Sequence, residues 1–278
     1  MATMHLEKLT AGIGAVVTGI GLRDGIADPV TAEAIRSALW EHLVLVFPAQ
    51  DLDDETHVAA AGIFGEPFLT PYGKALGMTN PVDVIADDPE KLPDRDGWHT
   101  DAPFLVEPPA VALLRAVTVP EAGGDTLFSD MYAAHDAMSD TMRTMLADAR
   151  VSYPLQKGLL VYVEERAGKE IADLVRDNAG PGGEHPILRT HPETGRKALY
   201  YADGFADGIV GLSAAENEAF RPYLASLPLD PSRQCRWRWS AGDVVIWDER
   251  STQHFGAADH AGGVREMRRV MVTGEVPR

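Results

Sequence analysis

Along the first fifty residues the spacing of apolar positions changes twice. Residues 6–22 predict short strands broken by glycines, and "DPVTAEAIRSALWEHLVLVFPAQ" then spaces its apolar residues three and four apart. That spacing predicts an amphipathic helix capped near Asp28 or Thr31, running straight into the apolar strand Leu43–Phe47. "DLDDETHVAAAGIFG" predicts a second helix, with carboxylates facing the positive end of its dipole and Gly65 at its close. Between Pro67 and Gly97 the pattern gives way to Pro, Gly and Asp around one strand-like run, Val82–Ala86. From Val111 to Asp130 the segments "VALLRAVTVP" and "DTLFSD" flank the turn "EAGG" and predict a β-hairpin. A helix is expected near 131–149. Residues 154–186 mix a helix with a Gly/Pro-rich end and suit a lid better than a core element. Strands are expected at 187–191 and 197–202, followed by a helix at "SAAENEAFRPYLASL". "CRWRWSAGDVVIWDERSTQHFGAADH" predicts consecutive strands, and the last strand falls near "RRVMVTGE". Without an internal repeat or linker, residues 1–278 are expected to form one mostly β domain with flanking helices and lid-like segments near 66–96 and 155–185.

Composition narrows what such a domain does. The 278 residues are 45% hydrophobic and 24% charged, an ordinary globular balance able to bury a sizeable core. A formal net charge of −17 disfavours nucleic acid and anionic membranes as partners, so an anionic small molecule would need a local arginine cluster. The single cysteine, Cys235, excludes an intrachain disulfide and a Cys-rich zinc site, and makes a reducing, cytoplasmic setting the expectation. "MATMHLEKLTAGIGAVVTGIGL" has no basic segment followed by a sustained apolar block, and no run of 18 apolar residues occurs, so neither a secretory leader nor a membrane span is expected.

Candidate chemistry begins at "GWHTDAPF", residues 97–104. In an extended strand residues i and i+2 share a face, so His99 and Asp101 can converge on one point. A redox metal with open positions for substrate and oxygen is suited by two histidines and one carboxylate on one face of an octahedron. The best third ligand is His254, which ends the polar turn after the apolar strand "DVVIW". Strands so far apart in the chain become neighbours in a jelly roll, the double-stranded β-helix. His5, His42, His57, His135, His185, His191 and His260 lack such partner spacing and suit structural or surface roles. Arg265 follows His254 by eleven residues, with Arg269 four later, on a strand expected to run back past the site. A guanidinium there can grip a carboxylate in fork geometry, although Arg268 would serve equally if it were the inward residue.

The stretches "WHTDAPF", "PPAVALLRAVTVPEAGGDTLFSD", "LRTHPETGRKALYY", "RWRWSAGDVVIWDERSTQHFGAAD" and "REMRRVMVTGE" resemble the taurine dioxygenase-like family of iron(II)- and 2-oxoglutarate-dependent oxygenases. The resemblance spans nearly the whole chain and is weakest at 66–96 and 155–185. It implies a jelly-roll core, with His99, Asp101 and His254 as catalytic Fe(II) ligands and Trp247 packed beside them. It further implies that Thr126 and Arg265 hold the distal carboxylate of 2-oxoglutarate. Arg269 would approach the cosubstrate's other carboxylate and an anionic head of the substrate. The implied reaction consumes 2-oxoglutarate and O2, hydroxylates and thereby sometimes cleaves a small organic substrate, and releases succinate and CO2; a homo-oligomer is implied as well.

Members specific for taurine carry a histidine–tyrosine pair in the loop after the second helix and an asparagine just before the H-x-D motif. Here the loop reads "GEPFLTPYGKAL", with Tyr72 alone, and Arg95 stands before the motif, so a different anion is expected: a sulfonate, sulfate ester, aryloxy acid or amino-acid-derived metabolite. Tyr72, Arg95, Phe104, Phe205 and Arg269 are the candidate substrate contacts. Two other classes fit parts of the pattern: a non-oxidative jelly-roll hydrolase or isomerase, and a non-catalytic β-sandwich binding module. Each leaves the Thr126/Arg265 pair unexplained.

Overall fold

A computed structural model of the protein describes residues 3–87, 97–155, 159–260 and 263–278. The early strands are β1 (His5–Lys8), β2 (Ala15–Thr18), β3 (Val44–Phe47), β4 (Asp83–Asp87) and β5 (Val111–Thr118). Then come β6 (Thr126–Asp130), β7 (Arg150–Pro154), β8 (Gly182–Pro186), β9 (Leu188–Thr190), β10 (Lys197–Leu199) and β11 (Gly208–Ile209). The chain ends with β12 (Gln234–Trp237), β13 (Val244–Asp248), β14 (Thr252–Gly256) and β15 (Arg265–Val272).

Strict alternation of side chains builds two cores on the two faces of one sheet. That sheet has the order β1-β2-β3-β13-β5-β15-β4. Leu45 and Phe47, Val111 and Leu113, Val244 and Ile246, Val270 and Val272 point outward. There they meet α1 (Leu22–Ala27), α2 (Pro29–His42) and α3 (Asp54–Ala61), which contribute Leu22, Ile35, Leu39 and Ala60. Val44, Val46, Ala112, Leu114, Val245, Trp247, Met267 and Met271 point inward and pack on Phe128 of the facing sheet β12-β6-β14. Both faces of β3 are therefore covered, which is why its four residues are all apolar.

Local chemistry accounts for the helix ends. Asp28 accepts from the backbone N–H groups of Val30 and Thr31 to start α2, and Leu43 stops it with a left-handed φ of 64° that throws the chain into β3. Asp53 caps α3. The remaining helices are α4 (Pro71–Ala75), α5 (Met131–Asp136), α6 (Asp140–Leu146), α7 (Leu159–Ala167), α8 (Lys169–Ala179) and α9 (Ala214–Ser226). From α7 and α8 the side chains of Leu160, Val163, Ala172 and Val175 are buried in the inner core.

The hairpin expected between Val111 and Asp130 is not formed. β5 pairs with β13 and β15 in the large sheet, whereas β6 pairs with β12 and β14 in the small one. "EAGG" is a real turn, with Gly123 and Gly124 at φ 82° and 71°, but it carries the chain from one layer to the other. The segments β12, β13 and β14 cross between layers in the same way. This is the double-stranded β-helix, and it leaves one end of the inter-sheet space lined by β6, β14 and β15. Among the described residues no helix is long and apolar enough to cross a membrane.

Candidate active site

His254 reaches this space because the chain between β13 and β14 is drawn into a tight turn. Asp248, buried, accepts from the backbone N–H and Nε–H of its neighbour Arg250 at 2.9 Å and from His191 Nε2–H at 2.6 Å. Its carbonyl accepts from Ser251 N–H and from the Thr252 hydroxyl. The tertiary fold then lays His99 beside His254 as an antiparallel bridge, with reciprocal backbone hydrogen bonds of 3.1 and 2.8 Å. Three residues on, Ala102 takes a left-handed φ of 46° and turns the chain away, leaving Asp101 at the bend. His185 pins that bend by donating Nε2–H to the carbonyls of Pro103 and Leu105 at 2.9 Å.

The three side chains converge. Asp101 Oδ1 lies 3.6 Å from His99 Nε2 and 3.8 Å from His254 Nε2, and one ligand atom from each residue lies within 4.8 Å of the other two. The Gly97 carbonyl, 2.8 Å from His99 Nδ1, can only accept, so Nδ1 carries the proton and Nε2 presents its lone pair toward Asp101. Burial, and then the neighbouring His99, push His254 down to about 3, keeping its imidazole neutral. Burial opposes ionisation of Asp101, but the Arg269 guanidinium outweighs it and holds the carboxyl well below the usual range. Two histidines and one ionised carboxylate at this spacing fit a divalent first-row metal with open positions. Trp247 packs its indole 4.9 Å from the His254 ring, and Phe128 contacts both rings.

Parity along β15 settles which arginine faces the site. Arg265 and Arg269 share the inner face with Met267, while Arg268 points outward to Glu266 Oε1 at 2.6 Å and Asp54 Oδ1 at 3.8 Å. Arg265 donates Nε–H to the Gly124 carbonyl at 3.3 Å, two residues before Thr126. A side chain at Gly124 would meet Arg265, its Cβ coming within 3.1 Å of Cδ, so glycine is needed for this approach. Thr126 Oγ1 accepts from Trp239 Nε1–H at 3.0 Å, leaving the threonine O–H to donate elsewhere. Arg269 Nη1 donates to Asp101 Oδ2 at 2.8 Å and Nη2 to Asp83 Oδ2 at 3.2 Å.

Of the expected substrate contacts, Phe205 stands edge-on to His99 with ring centroids 5.9 Å apart, and Phe104 packs behind it at 6.1 Å. Tyr72 lies on α4, half-buried against the inner core. Arg95 lies outside the described residues.

Several site residues escaped the sequence pattern. β4 runs antiparallel to β15 in a register that puts Asp83 opposite Arg269 and Asp87 opposite Arg265. Asp87 Oδ2 lies 3.7 Å from Arg265 Nη1 and accepts from His260 Nε2–H at 2.9 Å. His260, expected to be structural or surface, is thus buried beside the arginine. Glu249 lies behind Asp101, and burial, then the Asp101 charge, push it up to about 8. Only the cross-strand register could have revealed the two aspartates, and nothing in the spacing of "WDERSTQH" singles out Glu249.

The chain is similar to known proteins over nearly its whole length. The family model described as taurine catabolism dioxygenase TauD, TfdA family matches residues 5–271. An alkylsulfatase of Acinetobacter baylyi is 33% identical over 98% of this chain and 86% of its own length. An alpha-ketoglutarate-dependent sulfate ester dioxygenase of Pseudomonas putida is 33% identical over 99% of this chain and 91% of its own. The crystal structure of a taurine dioxygenase from Burkholderia xenovorans superposes with a TM-score of 0.81 at 30% identity, over 99% of this chain and 92% of that one. With its two-layer β-helix, its His-Asp-His cluster and a family match over nearly its whole length, the chain belongs to the TauD/TfdA family and is an Fe(II)- and 2-oxoglutarate-dependent dioxygenase.

Proposed function

We propose that His99, Asp101 and His254 hold the Fe(II), that Arg265 and Thr126 grip the distal carboxylate of 2-oxoglutarate, and that the substrate is a small organic sulfate ester carrying an alkyl chain. The convergence of three ligand atoms within 4.8 Å carries the metal assignment. When bound, iron and 2-oxoglutarate supply the means to oxidise an unactivated C–H bond with O2, releasing succinate and CO2. The chain's own residues set where that oxidation falls. Arg265 can pair one carboxylate oxygen and the Thr126 hydroxyl the other, which suits a dicarboxylate end. Phe104 and Phe205 offer an apolar wall next to His99, suited to an alkyl chain. Arg269, with Nη1 2.8 Å from Asp101 Oδ2 and 23% of its side chain exposed, suits the anionic head.

The sulfate-ester assignment is supported by two relatives, each 33% identical over nearly the whole chain. Hydroxylation of the carbon bearing the sulfate oxygen gives an unstable product that breaks its C–O bond, yielding an aldehyde and inorganic sulfate. The reading extends to a homo-oligomer in a reducing cytoplasm, on the family resemblance and the lone buried Cys235. The test is succinate and sulfate release from Fe(II)-loaded protein with 2-oxoglutarate, comparing linear alkyl sulfates, taurine and other alkanesulfonates, and aryloxy acids. Alkyl sulfates are expected to give both products in equal amounts. Succinate at the no-substrate background with every alkyl sulfate overturns the substrate assignment. Failure of anaerobic Fe(II) plus 2-oxoglutarate to give the visible charge-transfer band of a chelated keto acid overturns the site.

A further inference from the structure

Glu249 occupies a position that neither the ligand set nor the cosubstrate arginines account for. It follows β13 in the turn leading to His254, and 1% of its surface is exposed. Its two carboxyl oxygens take different N–H donors. Oε1 accepts from Trp247 Nε1–H at 2.6 Å, the indole packed on the His254 ring. Oε2 accepts from the backbone N–H of Asp101 at 2.9 Å and lies 2.6 Å from Thr100 Oγ1, which also reaches the Glu249 carbonyl at 2.8 Å. One side chain therefore ties together the segment that presents His99 and Asp101, the turn before His254, and the ring that packs against His254.

We propose that Glu249 is a positioning residue for the metal centre, fixing the Asp101 backbone and the Trp247 indole together and so setting the spacing of Asp101 and His254 before metal binds. The inference rests on the metal assignment above. Groups behind metal ligands orient them, and losing one commonly weakens metal binding 10- to 100-fold. The geometry also says why this group is a carboxyl. An N–H points at each oxygen, so both must accept. A glutamine has one oxygen, and its amide nitrogen would set N–H against N–H at either Trp247 or Asp101.

Co(II), whose d–d spectrum reports its coordination, is the probe. Anaerobic titration of the metal-free protein measures affinity for wild type and Glu249→Gln, each in the native and the Trp247→Phe background. Glu249→Gln is expected to weaken Co(II) binding about 10- to 100-fold and to alter the d–d bands. In the Trp247→Phe background one donor is gone, so the glutamine can turn its oxygen to Asp101 and its nitrogen to the vacated side. There the same substitution is expected to cost no more than about threefold, which is the coupling a double-mutant cycle reads. A role in general stability would lower both backgrounds alike. Binding within twofold of wild type, or an equal loss in both backgrounds, overturns the proposal. If Glu249→Gln does not fold, Thr100→Val is read instead, with a several-fold loss expected and unchanged Co(II) affinity overturning it. Wild type that binds neither Co(II) nor Fe(II) overturns the metal assignment itself.

Discussion

Replacing Arg265 with alanine separates the cosubstrate site from the metal site, because the arginine touches neither histidine nor Asp101 in the structure. Its present contacts are long: 3.3 Å from Nε to the Gly124 carbonyl and 3.7 Å from Nη1 to Asp87. Their loss should cost folding little. A charge-assisted hydrogen bond to a carboxylate is worth roughly 1.5–3 kcal/mol, and each 1.4 kcal/mol is tenfold in affinity, so the Kd for 2-oxoglutarate should rise about 10- to 150-fold. Fe(II) binding should stay within about twofold, since losing one contact to 2-oxoglutarate leaves His99, Asp101 and His254 in place. The assay is anaerobic titration of the Fe(II) protein with 2-oxoglutarate, followed at its visible charge-transfer band. Arg268→Ala is the matched control. It removes an arginine three positions along the same strand but on the opposite face, paired with Glu266 and Asp54, and should leave the Kd within about twofold. An unchanged Kd in Arg265→Ala, or an equal loss in both variants, would refute the assignment and the parity argument behind it.

Two further outcomes are expected. Asp87→Asn removes a carboxylate that competes for Arg265, so 2-oxoglutarate should bind about 3- to 10-fold more tightly by the same titration, and weaker binding would show that Asp87 instead holds the arginine in place. Stability of the metal-free protein should fall as pH drops below about 6.5. His57, His185 and His254 are pushed by burial to about 3, 4 and 3, so unfolding lets each take up a proton. Glu249, raised to about 8, works the other way between about 4.5 and 8, because it gives up its proton on unfolding. Unfolding near pH 5.5 should therefore take up roughly two protons net, a slope of about 2.7 kcal/mol per pH unit. Urea unfolding at pH 7.0, 6.0 and 5.0 measures it, and a flat profile would contradict these neutral buried histidines.

Elements governed by near neighbours were legible from the chain. The Asp28 cap, the α2 periodicity and the uniformly apolar β3 each follow from residues within one or two turns, where backbone hydrogen bonding and burial patterns act. The convergence of His99 and Asp101 was legible from their close spacing, although His99 sits at an isolated bridge and Asp101 at a bend rather than on one strand edge, and their partner His254 was legible because it ends a polar turn after an apolar strand. The family resemblance pointed to Thr126 and Arg265, and the structure places Arg265 against Gly124, two residues before Thr126.

What local pattern left open was every choice of partner at long range. "EAGG" predicts a turn equally well whether the chain doubles back in one sheet or crosses to the other, and it crosses because both edges of β5 are taken by β13 and β15, leaving no edge for β6 to pair with. Arginines 265, 268 and 269 look interchangeable until the strand's alternation is anchored by Met267 and Met271 in the inner core. Asp83 and Asp87 became site residues only through the register of β4 on β15, and Glu249 only through the bridge that brings Asp101 behind it. Spacing along a chain specifies which face a side chain takes. Which groups stand across from it depends on the packing of layers brought together from distant parts of the chain, and here that packing assembled the site.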